Sequence, residues 1–206
     1  MSPIRGILGN RWARFFRAYA ETAAIAPAAN AILGAFRWSE FKNIAVPLRV
    51  WVNVNVVTAV TAQRVDPLRL FTARAYTARD ATNATSVPIS AAMQKMRTDT
   101  IDSLLGAAAS GNVDVANNAA GLTGGTKVVD TNPIGSFAAS GLVAIGTSVQ
   151  GDIYVPSPVE GAYPPVLKGQ LPTPVGEGLL VQWGPTALAT GTVTVGIGYE
   201  WAEVQA

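Results

Sequence analysis

Alternation of apolar and polar side chains with a period of two is the strongest pattern in the chain. In VPLRVWVNVNVVTAV, residues 46–60, it predicts a strand with Val46, Leu48, Val50, Val52, Val54 and Val56 on one face and Arg49, Trp51, Asn53 and Asn55 on the other. The same period returns near the end, where Val193, Val195, Ile197, Tyr199 and Trp201 alternate with Thr194, Gly196, Gly198 and Glu200. LRLFTARAYTAR at 68–79 also fits a strand, with Leu68, Leu70, Thr72, Arg74 and Tyr76 on one face. VDP at 65–67 supplies a turn, which predicts that 46–60 and 68–79 pair antiparallel. Leu179 to Trp183 is the predicted hairpin partner of the last strand, across a six-residue loop at 185–190, and GLVAIGTSV and DIYVP add further strands after residue 140.

Three segments read differently. In NRWARFFRAY, residues 10–19, helical spacing puts Trp12, Phe15, Phe16 and Tyr19 on one side and Arg11, Arg14 and Arg17 on the other, predicting an amphipathic helix. PAANAILGAFRW at 27–38 reads as a second short helix or an extended arm. PISAAMQKMRTDTIDSLLGAA at 88–108 reads as a helix with Ser90 as N-cap, Met93, Met96, Ile101, Leu104 and Leu105 as its apolar positions and Gly106 at its end. Residues 106–140 are rich in small and polar side chains and predict loops, with a hairpin turn at Gly124-Gly125. Six of the thirteen prolines fall within 156–174, which predicts a surface excursion or an arm.

Strands toward both ends, turn signals between them and no alternation of strand with helix predict a mainly β fold. The expected architecture is an antiparallel β-sandwich, of the jelly-roll or another kind. Its organisation divides into an N-terminal helical arm or docking segment at 1–42 and a sandwich domain at 43–206 that carries the proline-rich excursion.

Composition adds a constraint. Charged residues make up 14% of the chain and hydrophobic residues 49%, against about 25% charged in ordinary globular domains. No run of eighteen apolar residues crosses a membrane, so the apolar surplus predicts surface covered by other subunits. Charge is divided along the chain: residues 1–97 hold 13 Lys+Arg and 4 Asp+Glu (+9), and residues 98–206 hold 2 and 9 (−7), summing to +2. If the two halves occupy different ends, copies can meet basic end to acidic end. The first residues do not read as a cleaved secretion signal, because Glu21, Thr22 and Pro27 interrupt any apolar core segment.

The chain has no cysteine and no histidine. That removes thiol chemistry, disulfides, and the nucleophile arrangements and metal sites that need imidazole. GLTGGTK at 121–127 lacks the adjacent Gly-Lys of a phosphate loop and reads as a turn. Asp99 and Asp102 match no cation-loop spacing, and NAT at 83–85 is a glycosylation pattern without a secretion signal beside it. Glycoside hydrolysis by two carboxylates needs neither missing residue. Glu200, between Tyr199 and Trp201, is the carboxylate nearest aromatic neighbours, but its strand position directs it away from those rings. No catalytic residue, cofactor or metal is expected. Trp183, Tyr163, Tyr154 and Trp51 are candidates for stacking on sugars, and the N-terminal arginines are weighed against nucleic acid without a recognised binding module beside them.

IAVPLRVWVNV, LRLFTARAYTARDATNAT and the terminal GEGLLVQWGPTALATGTVTVGIGYEWAEV together resemble small β-rich virion proteins of tailed bacteriophages. The resemblance implies a non-enzymatic structural role in the virion: a capsid decoration or cement protein, or alternatively a tail, neck or fibre component with a carbohydrate-binding sandwich. It implies the major capsid protein or other virion subunits as partners, together with homo-oligomers, and neither specific nucleic acid nor membrane. On this reading Trp12, Phe15, Phe16, Tyr19, Arg11, Arg14 and Arg17 bind a partner, the aromatic face entering a groove of a neighbour or of its own domain.

Overall fold

The computed structural model describes residues 14–61, 65–87, 96, 103–105, 111–155, 165–170 and 175–205. They form β1 (Arg14–Glu21), β2 (Ile32–Trp38), β3 (Asn43–Thr58), β4 (Val65–Ala78), β5 (Ala84–Ser86), β6 (Gly111–Ala116), β7 (Thr126–Val129), β8 (Gly135–Ser140), β9 (Ser148–Tyr154), β10 (Leu167–Lys168), β11 (Gly176–Gln182) and β12 (Thr192–Gln205). Two antiparallel sheets result. The first runs β1-β12-β3 with β9 and β10 both on β3, and the second runs β5-β6-β2-β11-β4 with β7 and β8 both on β4.

Four of the pairings follow one rule. β1 pairs β12, β2 pairs β11, β3 pairs β9 and β4 pairs β8, so the chain is a long hairpin whose first half runs against its second half. Successive rungs alternate between the sheets, which rolls the hairpin up. The two hairpins expected from the sequence are therefore corrected: β3 and β4 lie in different sheets, as do β11 and β12. A strand in a rolled hairpin hands the chain across to the opposite sheet, and its ladder partner lies far away in sequence.

The described part of the helix expected at 10–19 is strand, and of the two readings of 27–38, short helix or extended arm, the helix is not seen: residues 32–38 are strand. Residues 14–21 pair along their whole length with β12, from Arg14 opposite Glu203 to Glu21 opposite Gly196. The segment alternates: Phe16 and Ala18 are buried while Arg17 and Tyr19 are exposed, so Phe15 and Phe16 point to opposite faces. Residues 32–38 form β2, buried along nearly all of its length between β11 and β6. Thus the described part of the 1–42 segment contributes one strand to each sheet. Arg11 and Trp12 lie outside the described residues, as does most of the helix expected at 88–108; Ser103, Leu104 and Leu105 at its end are non-helical, with Leu105 buried. Residues 156–164 and 171–174 of the proline-rich segment are also outside them, whereas Leu167 and Lys168 pair with β3. The stretch expected to be loops holds β6, β7 and β8. Gly124 does turn there, at φ +90°, but β6 and β7 do not pair with each other.

The inner faces share one hydrophobic core. At one end, Phe36 of β2 packs edge-on against Trp201 (5.2 Å between centroids) and against Tyr199 (5.6 Å), and Phe16 stacks on Trp201 at 5.7 Å. Gly34 leaves the room this needs: a Cβ there would stand 2.6 Å from Ile197 Cδ1 and 2.9 Å from the Tyr199 hydroxyl. The five alternating residues of the last strand, Val193 to Trp201, are all buried, as the pattern predicted. The apolar face of β3 is split. A bulge opposite Glu200/Trp201 shifts the register, so Val50 to Val56 belong to the main core while Ile44, Val46 and Leu48 join a small cluster with Phe15, Ala202 and Val204. At one side of the molecule β8 and β9 close together, Phe137 of β8 lying over Gly151 of β9.

Candidate functional site

The outer face of the first sheet carries an ordered array of aromatic and hydrogen-bonding side chains. β12 is its middle strand and has glycine at two successive outward positions, Gly196 and Gly198. Across the register, Tyr19 of β1 and Trp51 of β3 flank Gly198, and Glu21 and Asn53 flank Gly196. One row further, Glu200 lies between Arg17 and Arg49. On the outer side of β3, Asp152 and Gln150 of β9 extend the rows beyond Trp51 and Asn53.

The glycines decide how the rings lie. A Cβ on Gly198 would overlap the Trp51 indole, and one on Gly196 would overlap the Tyr19 hydroxyl, so both side chains fold down over β12. The two rings are nearly parallel, at 10° and 6.5 Å between centroids. Each is pinned from the side. The Tyr19 hydroxyl donates to Glu21 Oε1 at 2.7 Å, and burial followed by that carboxylate pushes its pKa up to about 12. The Arg49 guanidinium lies over the indole, 5.2 Å from its centroid, and its Nε donates to Asp152 Oδ1 at 2.6 Å. That ion pair is exposed and adds little stability, but it orients the guanidinium.

Tyr19 remains 45% exposed. Of the residues expected to bind a partner, Phe16 is part of the core, Phe15 is half-buried in the small cluster, Arg14 is half-buried, and Arg17 is exposed beside Glu200. Of the residues expected to stack on sugars, Trp183 is buried and its indole N–H donates to the Thr186 carbonyl at 3.1 Å. Tyr154 is half-buried, which pushes its hydroxyl up to about 12; Tyr163 lies outside the described residues. Of the described members of that set, Trp51 alone stands on the outer sheet face, and its partner Tyr19 falls in the segment expected to be a helix. The signal that could have joined them is the pair Gly196, Gly198 on the polar side of a strongly apolar strand.

Three further carboxylates are buried and internally paired, while Arg74 pairs with Asp130 and Glu177 at the surface. Asp80 is fully buried and accepts from the Tyr76 hydroxyl, from the Gly125 N–H at 3.0 Å and from Lys127 Nζ, 2.7 Å from Oδ2. Burial, and then the Asp80 carboxylate, raise the Tyr76 pKa far above its ordinary value. Asp114 is equally buried and accepts from Arg79 and Asn112, and burial raises its pKa. Glu203 accepts from the Ser103 hydroxyl, the Leu104 N–H and the Trp201 indole, and burial raises its pKa too. Asp114 and Glu203 tie a loop to their own strands, and Asp80 ties its loop to β4 and β7. A small pocket of about 120 Å³, lined by Thr72, Arg74, Val166 and Glu177 among others, falls below the roughly 300–1,000 Å³ of small-molecule sites. Among the described residues, no cluster of three or more Asp and Glu could hold a metal ion. Glu200 sits between two arginines and away from the core rings, on the face its strand position predicted. No model of a known protein family matches the chain, and no curated protein matches it.

Proposed function

We propose that this protein is a structural subunit of a tailed-phage particle, a capsid decoration or cement protein that acts by binding its neighbours rather than by catalysis. Its two sheets are a jelly roll on this reading. The support is the rolled hairpin, in which β1-β12-β3-β9 faces β2-β11-β4-β8, an architecture used by capsid and lectin domains. Fold alone does not carry function.

The observation that carries the reading is where apolar side chains are left in the open. β7 is an outer strand of the second sheet, and Val128 and Val129 on it are 60% and 40% exposed. Ile145, at 69%, and Val143 crown the loop between β8 and β9, Val155 precedes the proline-rich segment and Val166 lies within it. An apolar edge strand left uncovered pairs with other chains unless it is blocked. In a particle, neighbouring subunits cover such edges and loop tips. The paired state of the buried carboxylates agrees with this, since each of them accepts hydrogen bonds that hold the fold.

Light scattering on the full chain tests the proposal. The expected result is a defined oligomer that the double substitution Val128→Glu, Ile145→Glu converts to a monomer with an unchanged melting temperature. A wild-type chain that stays monomeric at high concentration would remove the support.

A further inference from the structure

We infer that the outer face of the first sheet is a saccharide-binding site, centred on Tyr19 and Trp51 and completed by Glu21, Asn53, Arg49 and Asp152. This goes beyond the structural role and does not depend on it, because none of its residues is among the exposed apolar ones at β7 and the β8–β9 loop.

The chemistry of the face selects the ligand. A sugar ring has an apolar face of C–H groups and an equatorial rim of hydroxyls that both donate and accept. The site offers a pair of near-parallel aromatic rings, 6.5 Å apart between centroids, with Tyr19 exposed and Trp51 half-buried. Around the rings stand the matching polar groups: carboxylates that accept at Glu21 and Asp152, an amide that does both at Asn53, and a guanidinium that donates at Arg49, over the indole. The rings are held before any ligand arrives, Tyr19 by Glu21 and Trp51 by its contact with β12 and by Arg49, so little side-chain freedom is lost on binding.

Charge argues against the other flat ligands. Two arginines, Arg17 and Arg49, face three carboxylates, Glu21, Asp152 and Glu200. A strip with that balance gives no attraction to the phosphates of a nucleic acid, which stacking platforms for bases require, nor to an anionic membrane. A protein interface of this size would carry an apolar centre with the charges removed to its rim. Here the charged groups stand directly beside the rings.

The test is a binding screen of the full chain against immobilised neutral and amino-sugar oligosaccharides, among them gluco-, galacto- and N-acetylglucosamine oligomers, followed by calorimetric titration of the best one. The expected result is retention of at least one class, weakened about tenfold by Tyr19→Ala and by Trp51→Ala. Gly198→Val, which displaces the indole without removing it, is expected to act like Trp51→Ala. Because both aromatic side chains lie outside the core, the melting temperature of Tyr19→Ala is expected to stay within a few degrees of wild type. Retention of no oligosaccharide at millimolar concentration overturns the inference, as does a ligand whose affinity none of the three substitutions changes. If the substitutions instead alter the mass of the chain in light scattering and no glycan binds, the face is a subunit contact and the saccharide site is refuted. Loss of self-association in the Val128→Glu, Ile145→Glu variant leaves glycan binding intact, which separates the two readings.

Discussion

At Asp130 the Thr72 hydroxyl and the Arg74 guanidinium both donate to one half-buried carboxylate and hold its pKa below the ordinary value. A carboxyl depressed in the folded chain contributes stability that is present above the unfolded value and is lost as pH falls. Asp114 and Glu203, raised by burial, have the opposite sign: their contribution is full at low pH and is lost as pH rises. Asp130→Asn is therefore expected to lose less melting temperature than wild type between about pH 5 and about pH 2, measured by circular dichroism. An equal loss in both proteins would show that the Thr72 and Arg74 contacts do not hold in solution. The buried partners of these carboxylates could not be read from the chain. Ser103 and Glu203 are a hundred residues apart, and only the fold brings a loop hydroxyl to a strand carboxylate. Gly196 and Gly198 were visible as the polar side of the last strand, but their meaning as a floor for two rings depends on which strands flank β12.

The sharpest correction at the level of an element is β1. Trp12, Phe15, Phe16 and Tyr19 fit a helical face, while residues 14–21 fit a strand through Phe16 and Ala18. A segment this short satisfies both periods, and the open edge of β12 decides between them by offering eight residue pairings. The strand makes neighbouring phenylalanines unequal. Phe16 is fully buried against Trp201, and Phe15 is half-buried on the other face. Phe16→Ala is expected to cost about 3–5 kcal/mol and Phe15→Ala about 1 kcal/mol, read from urea midpoints at constant slope. Equal costs would favour a shared helical face. The long strands β3 and β12 were legible because alternation persists over many residues, although the bulge that divides the apolar face of β3 left no mark in the pattern.

For the whole molecule, the rolled hairpin makes the native contacts distant in sequence: Arg14 lies opposite Glu203, and Phe36 opposite Leu179. Closing such loops costs entropy before the ladder hydrogen bonds repay it. Refolding from denaturant is expected on the order of a second or slower, followed by tryptophan fluorescence in a stopped-flow mixer. Completion within about a millisecond would mean that local pairs dominate and that the ladder order is different. The mainly β character, the two principal strands with their buried faces, and the absence of thiol and imidazole chemistry were determined by the sequence alone, because side-chain period and residue type are local properties. Which strands pair, that β1 and β2 are strands, and that Tyr19 meets Trp51 across Gly198 were decided only by the tertiary structure. Each depends on the free-energy balance among distant segments competing for the same sheet edges, and no window along the chain contains both competitors.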